Sequence, residues 1–232
     1  MLPRQVAVDA KYKLIAEQQV INAGSDLGFL AETAGAAKDI LGVERIDADA
    51  DMGYCMGEDI AACERAGITP YVARPQRGTA VGEGRFPKEG VRYDEAADCY
   101  HCPAEQRIDT RYRWLQGGHI IVQYSNPRAC GGCGLKAQCA RGNSRRITRW
   151  EGEVVLDRMA IRLAVQPGIL DIRCETVEHP FGSIKQWMNQ GAFLMRGLDK
   201  VRAEFSLTAL ANNFSRATNL VGVQGLIRAV QA

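Results

Sequence analysis

An α/β fold interrupted by a β-rich, cysteine-containing insertion is predicted by three observations. Strand-like and helix-like segments alternate over residues 1–74. The alternation stops near Pro75, where Gly, Arg and Glu take over and the cysteines gather. Helical patterning returns from about residue 149 to the end. Alternating strands and helices favour a partly parallel layered sheet, because each crossover needs a helix to cover it. A chain of 232 residues, 46% of them hydrophobic, can bury one core plus an inserted subdomain. The expected organisation is 1–74 and 149–232 as two parts of one α/β domain, with 75–148 inserted between them.

The elements follow in order. "RQVAVDA" alternates, is rich in Val and reads as a strand ending near Asp9. "LIAEQQVIN" is a second strand. "AGSD" offers Ser25 or Asp26 as an N-cap for a helix over "LGFLAETAGAAKDILG", closed by Gly42. "RIDADA" is a short strand, "GEDIAACERAG" a helix ended by Gly67, and "TPYVAR" another strand. Residues 75–98 show little periodicity. Two alternating runs around Gly117-Gly118 signal a hairpin. "EGEVVLDRMAIRLAVQ" and "LDKVRAEFSLTALANNFSRATNLV" read as helices, the second long and amphipathic.

The net charge of +2 does not by itself mark a nucleic-acid binder. Locally, "KAQCARGNSRRITRW" holds Lys136, Arg141, Arg145, Arg146 and Arg149 without an acid. It reads as a solvated loop or as a phosphate-facing surface. No apolar run approaches the ~18 residues of a membrane helix, and the start lacks a signal-peptide pattern. The expected compartment is the cytoplasm, with the nucleoid when DNA is bound.

Eight cysteines in a reducing compartment are not a disulfide framework. Cys99 and Cys102 in "DCYHC", then Cys130 and Cys133 in "CGGC", form two C-x-x-C pairs, and Cys139 follows. Two such pairs suit a tetrahedral structural zinc, because each pair can wrap one side of the ion. Four of the five would bind, and His101 competes as a ligand. The other reading is free or buried thiols, as for Cys55, Cys63 and Cys174.

Asp47, Asp49 and Asp51 alternate at the end of a strand. They would share one face, an arrangement that solvent or a divalent cation must relieve. An acidic turn is the plainer alternative. In "TVEHPFGSIKQWM", Glu178 and Lys185 are seven residues apart, about two helical turns. Pro180 argues that Glu178 lies just before a helix start or on a kinked turn.

Together, "VAVDAKYKLIAEQQVINAGSD", "ADMGYCMGEDIAACERAGITPYVARPQRG", "CPA…ACGGCGLKAQC", "RRITRWE" and "ETVEHPFGSIKQWMNQGAFLMRGLDKVRAEFSLTALANN" resemble a known family. They are similar to the C-terminal part of the DDE domain of bacterial insertion-sequence transposases of the IS1182 type, the branch with a cysteine-bearing insertion. The resemblance spans nearly the whole chain. It implies an RNase H-like mixed sheet with helices, and a β-rich insertion between the second catalytic aspartate and the glutamate. It implies Asp51 as the second catalytic acid, Glu178 as the third and Lys185 as a DNA contact. The tyrosine and arginine that precede the glutamate in related families are poorly matched: Arg173 lies five residues before it, and Cys174 stands where arginine is expected.

The implied cofactor is Mg2+ or Mn2+ for catalysis; the structural Zn2+ is expected from the cysteine spacing alone. The implied partners are transposon-end DNA, target DNA and a second copy of the chain as a homodimer, with no membrane. The family's first catalytic aspartate lies on a strand before "VAVDA". The expectation is therefore an N-terminally truncated fragment, inactive alone, with Asp9 as a substitute for the first acid. The alternative is a non-catalytic nucleic-acid-binding module with a structural zinc site, its phosphates held by Arg141, Arg145, Arg146 and Arg149. A third reading is an interaction protein with no nucleic-acid role.

Overall fold

The computed structural model describes residues 4–75, 82–188 and 190–231, apart from the side chain of Cys174. The chain divides into two compact units, Met1–Arg74 with Val155–Ala232, and Pro75–Val154.

In the first unit, β1 (Arg4–Val8) and β2 (Ile15–Val20) form an antiparallel hairpin. Helix α1 (Leu30–Leu41) follows and is closed by Gly42 in the left-handed region, at φ 65°. Strand β3 (Ile46–Ala50) pairs in parallel with β4 (Ile68–Val72) through the crossover helix α2 (Gly57–Arg65). The α/β class holds, with the strands of this unit in two two-stranded sheets.

Neither Ser25 nor Asp26 caps α1. Its N-cap is Phe29, which makes no side-chain bond. The buried carboxylate of Asp59 on α2 instead accepts from the Leu30 and Ala31 N–H groups, at 2.8 and 3.0 Å. A carboxylate there satisfies two orphan donors and faces the positive end of the helix, so a tertiary contact has replaced the local cap.

After the other unit come α5 (Val154–Val165) and α6 (Ile169–Gly182). A π-helical turn over Ser183–Trp187 extends α6. Helix α7 (Leu198–Gln231) is broken at Gly222, where φ is 73° and ψ is 164°. Pro180 does not start a helix. It is fully buried in the last turn of α6, which places Glu178 inside the helix. A proline removes one i→i−4 bond, and the loss is tolerable where the helix is already giving way to a wider turn.

The core here joins Ile15, Val20, Ile184, Val201, Phe205 and Ala209, with Val6, Val8 and Phe193 packed against it. Helix α7 also clasps β2 by its backbone. Asn213 both donates to and accepts from Ile15, each at 2.8 Å, and Arg202 Nε donates to the Val20 carbonyl at 3.0 Å.

The second unit holds two three-stranded antiparallel sheets. β5 (Arg92–Asp94), β6 (Cys99–His101) and β7 (Arg107–Ile108) make one. β8 (Thr110–Gln116), β9 (His119–Ser125) and β10 (Arg146–Trp150) make the other, in the order β10-β9-β8. The expected hairpin at Gly117-Gly118 forms, with φ of 58° and 85° at the two glycines. Two successive positive φ values are what a tight two-residue turn requires. β10 carries this unit past residue 148, because Arg146–Trp150 completes the sheet. Two short helices, α3 (Pro127–Gly131) and α4 (Lys136–Cys139), lie between β9 and β10. The core is Val91, Tyr100, Ile108, Val122, Tyr124 and Ile147.

Candidate functional site

Asp51 lies just beyond β3, as the N-cap of a 3-10 turn over Met52–Tyr54. Its carboxylate accepts the Met52 N–H at 2.6 Å and is exposed. Asp47 is also exposed, whereas Asp49 is half-buried. Burial pushes the Asp49 carboxyl up to about 6, against the pull of Arg173 on α6. Asp26 lies beside the same turn. A Cβ on Gly53 would meet Asp26 Oδ2 at 3.6 Å, and Gln5 Nε2 donates to Asp26 Oδ1 at 3.4 Å. Burial, with Asp26 and Asp51 adding negative charge, pushes the Tyr54 phenol up to about 12.

Glu178 is exposed on α6, and α6 packs against β3 and β4. Two contacts tie this helix down: Arg173 beside Asp49, and Lys13 Nζ donating to the buried Thr176 Oγ1 at 2.8 Å. Lys185 lies on the π-helical turn, its Nζ 5.8 Å from the centroid of the Phe181 ring. The fold thus lays the helix of Glu178 along the strand that leads into Asp51. Among the described residues, these two acids belong to no set of three ligand atoms within 4.8 Å of one another. Asp9 is engaged locally: its carboxylate accepts the Lys11 and Tyr12 N–H groups, at 3.3 and 2.6 Å, and closes the β1–β2 turn.

The sequence offers Asp26 only as one of two helix caps and Asp49 only as one of three carboxylates sharing a strand face. The available signal for Asp49 was its place in the Asp47-Asp49-Asp51 alternation. Nothing local in the sequence marks Asp26.

The basic run divides. Arg146 is exposed on β10. Arg141 is also exposed but pairs with Glu83, which also holds Arg85. Arg145 Nη1 donates to the Cys139 carbonyl at 3.0 Å. Arg149, expected on a phosphate, is instead buried, with its guanidinium 3.7 Å from the centroid of the Tyr93 ring. Strand alternation turns it inward, and cation–π contact with the aromatic core holds it there.

The five cysteines also divide. Cys102, Cys130, Cys133 and Cys139 line one cavity of about 20 Å³. Burial and the other three thiols raise the Cys139 thiol, and Arg145 opposes them. No three of these four sulfurs lie within 4.8 Å of one another. Cys99, fully buried on β6, faces elsewhere: its Sγ is 3.8 Å from His101 Nε2, which is 3.7 Å from Asp94 Oδ2. Asp94, Cys99 and His101 are the one set of three potential metal ligands within 4.8 Å among the described residues. Cys63 is buried on α2, as a core thiol should be.

No described helix is long and apolar enough to cross a membrane. No curated protein and no solved structure matches the chain. A family model described as "Transposase DDE domain" matches residues 101–218, just over half of the chain, and that span includes Glu178, Lys185 and the four cavity cysteines. The chain belongs to the transposase DDE-domain family.

Proposed function

We propose that the chain contributes to DNA transposition through metal-dependent cleavage and joining of phosphodiester bonds, with Asp51 and Glu178 as its catalytic acids. The observation that carries this reading is the packing of α6 against β3, the strand that leads into Asp51. The parallel β3–β4 pair with its α2 crossover supports an RNase H-like arrangement.

The candidate ligands are the carboxylates of Asp51 and Glu178, with Asp26 beside the Asp51 turn and Asp49 on the strand before it. That chemistry suits Mg2+ or Mn2+ rather than a softer ion. A divalent cation bound there supplies Lewis-acid polarisation of the reacting phosphate and favours an ionised nucleophile. The side chains have separate roles. Asp51 and Glu178 are exposed and can turn their carboxylates to the ion. Asp49, half-buried and with its raised pKa, lies next to Arg173. Lys185 supplies a point charge for a backbone phosphate of transposon-end DNA. The nucleophile is water in cleavage, which frees a 3′-hydroxyl. That 3′-hydroxyl is the nucleophile in strand transfer to target DNA.

The test is a gel assay on DNA carrying the element's ends, with Mg2+ or Mn2+. Cleavage that vanishes in Asp51→Ala and in Glu178→Gln supports the proposal. Cleavage that survives both substitutions overturns the assignment.

A second reading rests on Asp51 and Glu178 belonging, among the described residues, to no three-ligand cluster: a nucleic-acid-binding module without catalysis. It is favoured if DNA binding is salt-dependent, unaffected by EDTA and never accompanied by cleavage.

A further inference from the structure

Between Tyr124 and Ile147 the chain buries no side chain. That stretch nevertheless folds into α3 and α4, helices of five and four residues. Helices so short do not persist on backbone bonds alone, because nucleation costs more than one turn returns. The segment therefore needs a tie other than an apolar core. Three cysteines are spaced along it, and all three line the same cavity as Cys102, which follows β6.

The local backbone suits ligation. The Cys102 N–H donates to Gln106 O at 3.1 Å, and the Cys102 carbonyl accepts from the Glu105 N–H at 2.8 Å. The Cys130 carbonyl accepts the Cys133 N–H at 3.4 Å, and the Cys133 carbonyl accepts the Lys136 N–H at 3.1 Å. Cys102, Cys130 and Cys133 thus each sit at a tight turn, the backbone setting that lets two nearby sulfurs point to one centre.

We propose that Cys102, Cys130, Cys133 and Cys139 bind one zinc ion as four thiolates, and that this ion holds residues 126–145 in their fold. Four sulfurs at ~2.3 Å from zinc stand ~3.8 Å apart, so the four draw together on binding. Each ligand that arrives as a thiol gives up its proton to solvent. Four thiolates leave no open coordination position, so the site is structural. Cys99 is the cysteine left out, being buried beside His101 and Asp94. The proposal is independent of whether the chain cleaves DNA.

The experiment is metal analysis of the full chain purified under reducing conditions, beside Cys130→Ser, Cys133→Ser, Cys99→Ser and His101→Ala. The expected result is about one zinc per chain, lost in the first two variants and kept in the last two. Cobalt(II) in its place should give the intense near-ultraviolet thiolate bands of a tetrahedral sulfur site. Should the first two variants fail to fold, the unmodified chain decides. A strong chelator should expose residues 126–145 to limited proteolysis, and added zinc should restore protection. Any of four results overturns the proposal: no zinc, zinc retained in Cys133→Ser, zinc lost in His101→Ala, or cysteines found joined as disulfides. Proteolysis indifferent to the chelator overturns the stapling role.

Discussion

The two units solve the same problem with different materials. The first closes an aliphatic and aromatic core between β2, the π-helical turn and α7, around Phe205. The second has short strands and clusters three tyrosines instead, Tyr93, Tyr100 and Tyr124, tilted or edge-on to one another with centroids 4.9 to 6.2 Å apart. Its polar side is anchored by Asp98, which accepts from the Tyr93 hydroxyl at 2.9 Å and also from Tyr124 and Arg111. Between Tyr124 and Ile147 it buries no side chain, and three of the four cavity thiols lie there. A long helix can bury enough area to hold a unit by itself, whereas three-residue strands need aromatic mass and specific polar contacts.

Four experiments bear on this contrast. Phe205→Ala should have the largest effect, destabilising the first unit by about 3–5 kcal/mol in urea unfolding. Phe205 is fully buried and meets Phe193 edge to face. A loss below ~1 kcal/mol would mean the core does not close there. Tyr124→Phe keeps the ring but takes a donor from Asp98. It should cost about 1–3 kcal/mol, read by amide exchange along β9.

The remaining two concern pH, and the units should respond with opposite sign. Burial alone would raise Asp98, but bonds from Tyr124, Tyr93 and Arg111 outweigh it and hold its carboxyl below the ordinary range. Its contribution is therefore present above the unfolded value of ~3.9 and is lost as pH falls through the lower folded value. Asp98→Asn should flatten the acid limb of the second unit. Asp49 is raised to about 6 by burial, so its contribution is complete below ~3.9 and lost as pH rises through about 6. Asp49→Asn, measured without divalent ions, should stabilise the first unit at pH 7 by ~1 kcal/mol after allowance for solvent screening. It should do nothing at pH 4. A stabilisation that is equal at both values would remove the electrostatic account.

Legibility in the sequence follows element length. Helix α1 with its Gly42 stop, β3, β4 and the Gly117-Gly118 hairpin were readable because several periods of pattern, or a demanding turn, lie within each. Strands β5, β6 and β7 are two or three residues long, too short for alternation to register. Pro180 misled the reading of α6, because a proline rule does not know that the next turn is π-helical. At the site, Asp51 and Glu178 were picked out by motif. Asp26 was not, because only folding brings it to the Gly53-Tyr54 turn. The cysteine spacing offered five candidates for four positions. The proposed exclusion of Cys99 rests on Cys99 and His101 sharing one face of β6, with Asp94 brought beside them by the pairing of β5 with β6.

The π-helical turn at Ser183–Trp187 bears on how the Glu178–Lys185 interval should be counted. In a uniform α-helix, seven positions bring the second side chain nearly back over the first. A wider turn takes more residues per revolution, so seven positions no longer bring the second side chain back over the first; the Lys185 Nζ lies 5.8 Å from the centroid of the Phe181 ring. Deleting one residue between Ser183 and Trp187 would restore ordinary winding and leave everything downstream nearly in place, because the wide turn accommodates one extra residue in an α-helix. Motif comparison by residue count alone is blind to the wide turn, which changes where the Lys185 ammonium points and not its place in the sequence.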